Sequence, residues 1–347
     1  MRLNNRINWI DNAKAIGIFL VFYGHYIEFF GRQEEYNIAR HQFRLIYSFH
    51  MPLFFIISGF FLKKNQFDIK IIKHLFKQII IPIISFAILT VPFWYFYNDI
   101  SLKEILTKAL YYIGGSAPLN ITTWFLFCLF SAKIFTLIIG LQENLYKNII
   151  TSILLLSAGY FITNNINLIQ NYTKIGKNFW YIHEGIIASG FLYLGYVIFD
   201  YLKKLNNQKN LKIFLLIISC LLFMFSYYFI KNDINSMVNS SHGKFFPFII
   251  HAILGSITII ILGMVIPSNK ILSFYGKNTL ILLGLNGFFF HFLNKDISNL
   301  TINFTHNSWF DLSINSTLYC LISLIICYPF INLFNKYLPQ YFGKPTK

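Results

Sequence analysis

Apolar windows long enough to enter a bilayer recur along almost the whole chain, at about 13–30, 45–62, 79–97, 121–140, 147–162, 185–201, 211–230, 246–266, 279–293 and 314–334. In hydrocarbon every backbone N–H and C=O needs an internal partner, and a helix supplies one within each segment. The spacing therefore predicts an all-α, polytopic membrane bundle of ten transmembrane helices, built as a single membrane-embedded domain over residues 1–347. No internal repeat, low-complexity block or long linker divides it. Composition agrees, because 56% hydrophobic and 12% charged residues are too apolar for an ordinary soluble domain.

A net charge of +16 would suggest nucleic acid in a soluble protein, but here the charge sorts by side. Lys and Arg in alternate connections number 17 on the side of the N-terminus, including Arg2, Arg6, Lys70, Lys73, Lys77 and Lys347, against 10 on the other side, including Lys174 and Lys177. By the positive-inside rule both termini are predicted cytoplasmic, and no nucleic-acid partner is needed. Arg2 and Arg6 precede an apolar run as in a signal peptide, yet no small-residue cleavage site follows, so 13–30 reads as a retained first helix.

Cys128, Cys220, Cys320 and Cys327 sit inside apolar runs without zinc-like spacing and read as small packing residues. The abundance of Ile, Asn, Lys and Phe resembles a low-GC coding bias. This points to a bacterial source and a cytoplasmic (inner) membrane, with sequons such as Asn171-Tyr-Thr173 arising by chance. Two connections are amphipathic. Lys70, Lys73 and Lys77 oppose Ile71, Ile72, Leu75 and Phe76, as in a helix lying on an anionic leaflet. Leu102, Ile105, Leu106, Ala109, Leu110 and Ile113 form a second stripe, either a lid or plain interfacial packing.

Two windows carry polar groups that a lipid-facing helix does not need. In "DNAKAIGIFLVFYGHYIEFF", Lys14 and His25 are eleven residues apart. That is three turns plus roughly 20°, so they share one face about 16 Å apart. Asp11 and Glu28 lie near the same line, Tyr23 points away, and Gly17 and Gly24 flank it, leaving room for an elongated ligand. The second window, "FHMPLFFIISGFFLKK", has His50 at its entrance, Pro52 in its first turn and Ser58-Gly59 in its body.

In the expected orientation Lys14 lies at the cytoplasmic interface, while His25, His50, Trp124 and Glu184 gather in the outer half. Ionisable groups at such depth face a bundle interior or a wet cavity. His25 suits a base or a hydrogen-bonded packing contact between helices. His50 suits a base kept neutral by the helix dipole, or a headgroup-region cap. Glu184 suits a histidine-orienting or sugar-binding carboxylate, or a solvated helix start. His183, His242, His251, His291 and His306 have no metal-ligand spacing and no phosphate loop stands out, so neither a metal nor a tightly bound cofactor is expected.

The first two motifs, with "TTWFLFCLF" at 122–130 and "YGKNTLILLGLN" from Tyr275, resemble acyltransferase family 3, the integral-membrane O-acyltransferases, and in particular its fucose 4-O-acetylase-like branch. The resemblance implies a ten-helix bundle that moves an acyl group, commonly acetyl, from cytoplasmic acetyl-CoA to a hydroxyl of an extracytoplasmic glycan such as capsule or the O-antigen of lipopolysaccharide. It implies His25 as the catalytic histidine. Lys14 stands where the family usually has arginine, keeping the charge but losing the bidentate fork, and Asn286 stands where it often has histidine.

The candidate catalytic residues are thus His25, His50 and Glu184. Lys14, Asp11, Lys277 and Asn278 are candidates for the donor, and Trp124, Asn286, Ser58 and Glu28 for the acceptor. The imidazole would either deprotonate a sugar hydroxyl or accept the acyl group itself. The alternative class is a transporter or flippase, against which stand the lack of an inverted repeat and ionisable groups concentrated near one end. A third is a sensor whose histidines respond to pH.

Overall fold

The computed structural model describes residues 7–33, 35–64, 67–167, 179–233, 235–267 and 269–344. Arg2, Arg6, Lys174, Lys177, Lys347 and the Asn171-Tyr-Thr173 sequon lie outside them. Among the described residues the regular structure is helical, and the paired extended backbone is one isolated bridge, Ser236 to Ser241.

The helices are α1 (Asn8–Gly31), α2 (Asn37–Tyr47), α3 (His50–Gly59), α4 (Ile69–Leu75), α5 (Ile81–Phe96), α6 (Leu102–Leu110), α7 (Trp124–Ile139) and α8 (Leu145–Asn164). They continue as α9 (Ile182–Asn206), α10 (Lys209–Ile230), α11 (Phe245–Val265), α12 (Lys270–Lys277), α13 (Thr279–Phe288), α14 (Asn294–Thr301) and α15 (Trp309–Tyr337). A π-turn, Phe76–Ile80, joins α4 to α5, and another, Phe289–Leu293, joins α13 to α14.

Among the described residues eight helices are long and apolar enough to cross a membrane, and the second and ninth expected segments are not among them. The second is broken before His50, which leaves α3 only 10 residues long. The ninth loses apolar density where α13 passes Asn286 and His291 into the polar α14. An apolar window reports local composition, whereas a span needs one uninterrupted helix through it.

Two helices organise the packing. α1 touches α2, α3 and α11 to α15, and α9 touches α3, α7, α8 and α10. Lipid offers little apolar driving force between helices, so close backbone approach matters more than in water. At the α3–α9 contact a Cβ on Gly59 would lie 2.1 Å from the carbonyl oxygen of Leu192, and one on Gly195 2.0 Å from that of Ile56. The two backbones touch along the C-terminal half of α3.

Phe214, Leu221 and Phe225 on α10, with Leu318, Ile322 and Ile325 on α15, point outward as a lipid-facing surface. Cys220 belongs to that surface, and only the other three cysteines are buried packing residues. In the stripe on α6, Ile105 is buried, while Leu102, Leu106, Leu110 and the following Ile113 are exposed.

Candidate active site

A cavity of about 180 Å³ lies at the junction of α1, α2 and α3, lined by His25, Glu28, Tyr47, His50, Trp124 and the Ser236–Asn239 turn. An apolar cavity of about 150 Å³ holds a benzene-sized molecule, so this one is on the scale of a small organic group.

Each histidine is held through Nδ1. His50 donates it at 2.9 Å to the carbonyl of Ile46, in the last turn of α2, which also accepts the Phe49 N–H. His25 pairs its Nδ1 with Oδ1 of Asn286. A nitrogen donating to an oxygen carries the proton, so in neutral imidazole the Nε2 lone pair remains available on both rings. Tyr47 joins them, its ring centroid 6.0 Å from that of His25 and 4.7 Å from that of His50. Its hydroxyl donates to Glu28 at 3.3 Å, and Glu28 also meets Arg32 at 2.6 Å. Asn286 is fully buried with its Nδ2 unpartnered. It sits one turn before the π-turn of the α13–α14 helix, a feature frequent at functional sites.

A second cavity, of about 210 Å³, follows along α1 and α3 and is mostly apolar, with Lys14, Ser58 and Thr279 as its polar contributors. Met51 and Leu283 line both cavities and form their common wall. Leu283 is held by Thr122, whose hydroxyl donates to its carbonyl at 2.7 Å. A third cavity, of about 470 Å³, is basic, lined by Lys63, Lys70, His74 and Lys133, and shares Phe61 with the second. The second cavity thus shares lining residues with the cationic one and with the one that holds both imidazoles.

His25, His50, Glu28 and Trp124 thus meet in one cavity, with Asn286 immediately behind His25. Lys14 and Ser58 meet in the next. Four expected residues lie elsewhere. Glu184 is fully buried against His242, whose Nε2 is 2.9 and 3.1 Å from its two oxygens. Asp11 presses its backbone carbonyl on Gly276, where a Cβ would sit 2.0 Å away. Asn278 accepts from Asn335 at 2.9 Å and Lys344 at 2.6 Å, tying α13 to the end of the chain. Lys277 is exposed and lines none of the three cavities.

Gly17 and Gly24 leave no open groove. A Cβ on Gly17 would meet Leu53 and Phe54 at 3.0 Å, and one on Gly24 would meet the Tyr47 ring at 2.9 Å, so the space beside the glycines is filled by the core residue Leu53 and by the cavity-lining Phe54 and Tyr47. Tyr23 does point away, donating to Gln42 at 2.6 Å. Sequence reasoning passed over Tyr47, Met51, Leu283, the 236–239 turn and Lys133. Lys133 had a signal, being a lone cation inside an apolar window, which needs a wet cavity to face. Among the described residues no cluster of metal-ligating side chains occurs.

No curated protein and no solved structure matches the chain. The profile of an acyltransferase domain family matches residues 7–332, a span that contains all three cavities and both histidine-bearing segments. The match extends through almost every helix of the bundle, and this multi-pass membrane protein therefore belongs to acyltransferase family 3, an enzyme whose partners are an acyl donor and an acyl acceptor.

Proposed function

We propose that the protein is a fucose 4-O-acetylase-like O-acetyltransferase of a bacterial cytoplasmic membrane, with both termini cytoplasmic and the whole chain acting as one domain. It transfers acetyl from cytoplasmic acetyl-CoA to a hydroxyl of an extracytoplasmic glycan or glycolipid sugar. The observation that carries this reading is the series of three cavities joined through Phe61 and through Met51 with Leu283.

Each chamber suits one part of the donor. Phosphates are matched by Lys63, Lys70, His74 and Lys133, with Lys14 deeper along the path. The uncharged pantetheine arm suits the apolar second cavity. The thioester then reaches His25 past Met51 and Leu283. In direct transfer the acceptor O–H gives its proton to Nε2 of His25, the oxygen bonds to the carbonyl carbon, the C–S bond breaks, and the imidazolium returns the proton to the departing thiolate. Asn286 holds the ring through Nδ1, and His50, Glu28 and Trp124 offer contacts to the sugar.

The test is reconstitution in vesicles with radiolabelled acetyl-CoA and a lipid-linked glycan. Labelled glycan from the wild type, absent with His25→Ala, is expected. Equal labelling by both proteins would overturn the assignment.

A further inference from the structure

The Ser236–Asn239 turn stands in the connection between α10 and α11 and forms one wall of the histidine cavity. It is a small closed unit. Ser236 N–H donates to the Ser241 carbonyl at 2.7 Å, Ser241 N–H returns the bond at 3.1 Å, and the Asn239 amide reaches Ser236 Oγ at 3.2 Å. Ser240, at φ 54°, takes the left-handed backbone that lets the chain double back.

The turn is clamped to the start of α9 by two adjacent residues. His183 Nε2 lies 2.6 Å from Ser240 Oγ. Next to it, Glu184 receives His242 in a pair with both side chains at 0% exposure. His242 Nδ1 is buried and unpartnered, so this imidazole is committed to the carboxylate alone. The helix start is itself tightly set. Trp180 and Tyr181 are successive left-handed residues, at φ 49° and 47°. Trp180 is pinned through its N–H to Gly114, its carbonyl to Ser131 and its indole to Ile113. Tyr181 packs on Trp124, another residue of the same cavity, at 5.2 Å. Strained backbone persists where surrounding contacts over-determine it, and here those contacts fix one wall of the site.

We infer that the Ser236–Asn239 turn is the recognition element for a polyhydroxylated acceptor, and that Glu184 and His242 are positioning residues that hold it over His25 and His50. The inference rests on the acyl-transfer reading. Ser236 Oγ and the Asn239 amide supply a hydroxyl and an amide at the cavity wall, groups suited to a sugar. Neither Glu184 nor His242 lines the cavity, so the pair serves the acceptor through the turn and not by contact.

Two measurements test it. In the first, KM for donor and acceptor are separated. Glu184→Ala and His242→Ala should each raise the acceptor KM at least about tenfold and leave the donor KM within about twofold. Glu184→Gln, which keeps an oxygen for the imidazole N–H, should restore most of the loss. Ser236→Ala with Asn239→Ala should also raise the acceptor KM. An unchanged acceptor KM in either set, or a fall confined to kcat, overturns the inference. The second measurement is independent of activity. In a Cys220→Ser background, Ser236→Cys should react slowly with a soluble maleimide and at least about tenfold faster once Glu184→Ala is added. An unchanged rate overturns the clamp. A wild-type protein that transfers no acyl group to any glycan, while labelling responds as expected, would overturn the acyl-transfer reading and leave the clamp standing.

Discussion

Met51 and Leu283 each line both the histidine cavity and the apolar cavity beside Lys14. On the proposed reading, a thioester moving from one to the other passes these two shared residues. Leu283→Trp should therefore block the passage without touching the cationic chamber. Turnover should fall at least about tenfold, since misplacement by about 1 Å costs on the order of a hundredfold. Acetyl-CoA affinity, measured by calorimetry, should stay within about twofold. Loss of affinity matching the loss of turnover would place the donor elsewhere.

His25 and Asn286 act as a unit through one hydrogen bond. His25→Ala should reduce kcat by about 10²–10⁴, the usual range for removing an acid–base group. Asn286→Ala should reduce it by less, about tenfold, by freeing the ring. Combined, they should do no more harm than His25→Ala alone. Single-turnover assays on variants with unaltered thermal melting decide this, and an additive double variant would show that Asn286 acts independently.

Lys133, on α7, is the half-buried cation of the third cavity, whereas Lys63, Lys70 and His74 are exposed. Hydrogen bonds to charged groups contribute about 1.5–3 kcal/mol, so Lys133→Ala should raise the acetyl-CoA KM by roughly 10- to 100-fold with kcat little changed. A thioester lacking the 3′-phosphate reports whether this lysine reads that group. If it does, the wild type should discriminate between the two donors and the variant should not.

Gly59 has no room for a side chain against α9, as its Cβ would sit 2.1 Å from a carbonyl oxygen. Gly59→Ala should destabilise by about 1–3 kcal/mol, the usual cost of overpacking. It should also lower activity, because α3 carries His50 and Ser58 on opposite sides of the partition. Gly114→Ala is the control, meeting only the Tyr111 carbonyl at an ordinary 3.5 Å. Thermal melts in detergent should separate the two, and equal melting would mean that α3 moves away from α9 at little cost.

Helical periodicity was enough to put Lys14 and His25 on one face of α1, and both residues do line cavities along it. That argument needs only 3.6 residues per turn. It does not say what fills a face, which is why Gly17 and Gly24 suggested a groove that Leu53, Phe54 and Tyr47 occupy. Glu184 was visible as a carboxylate at the head of a helix, but its partner His242 is 58 residues away, and no local pattern encodes that distance. Lys277 and Asn278 read as a motif in sequence order, whereas the structure turns one to the exterior and ties the other to the C-terminal helix. The 236–239 turn had no signal, since short Ser and Asn stretches are common in connections.

The brevity of α3 has its own consequence. Its 10 residues rise about 15 Å, roughly half the 30 Å of a hydrocarbon core, yet residues at its two ends border the first and second chambers, and Phe61 just beyond it borders the third. The distance between the cationic chamber and the two imidazoles is therefore set by a half-length helix and not by the thickness of the membrane. On the proposed reading, a donor tethered by its phosphates has to extend only that far, and the remaining depth is left for the acceptor to descend.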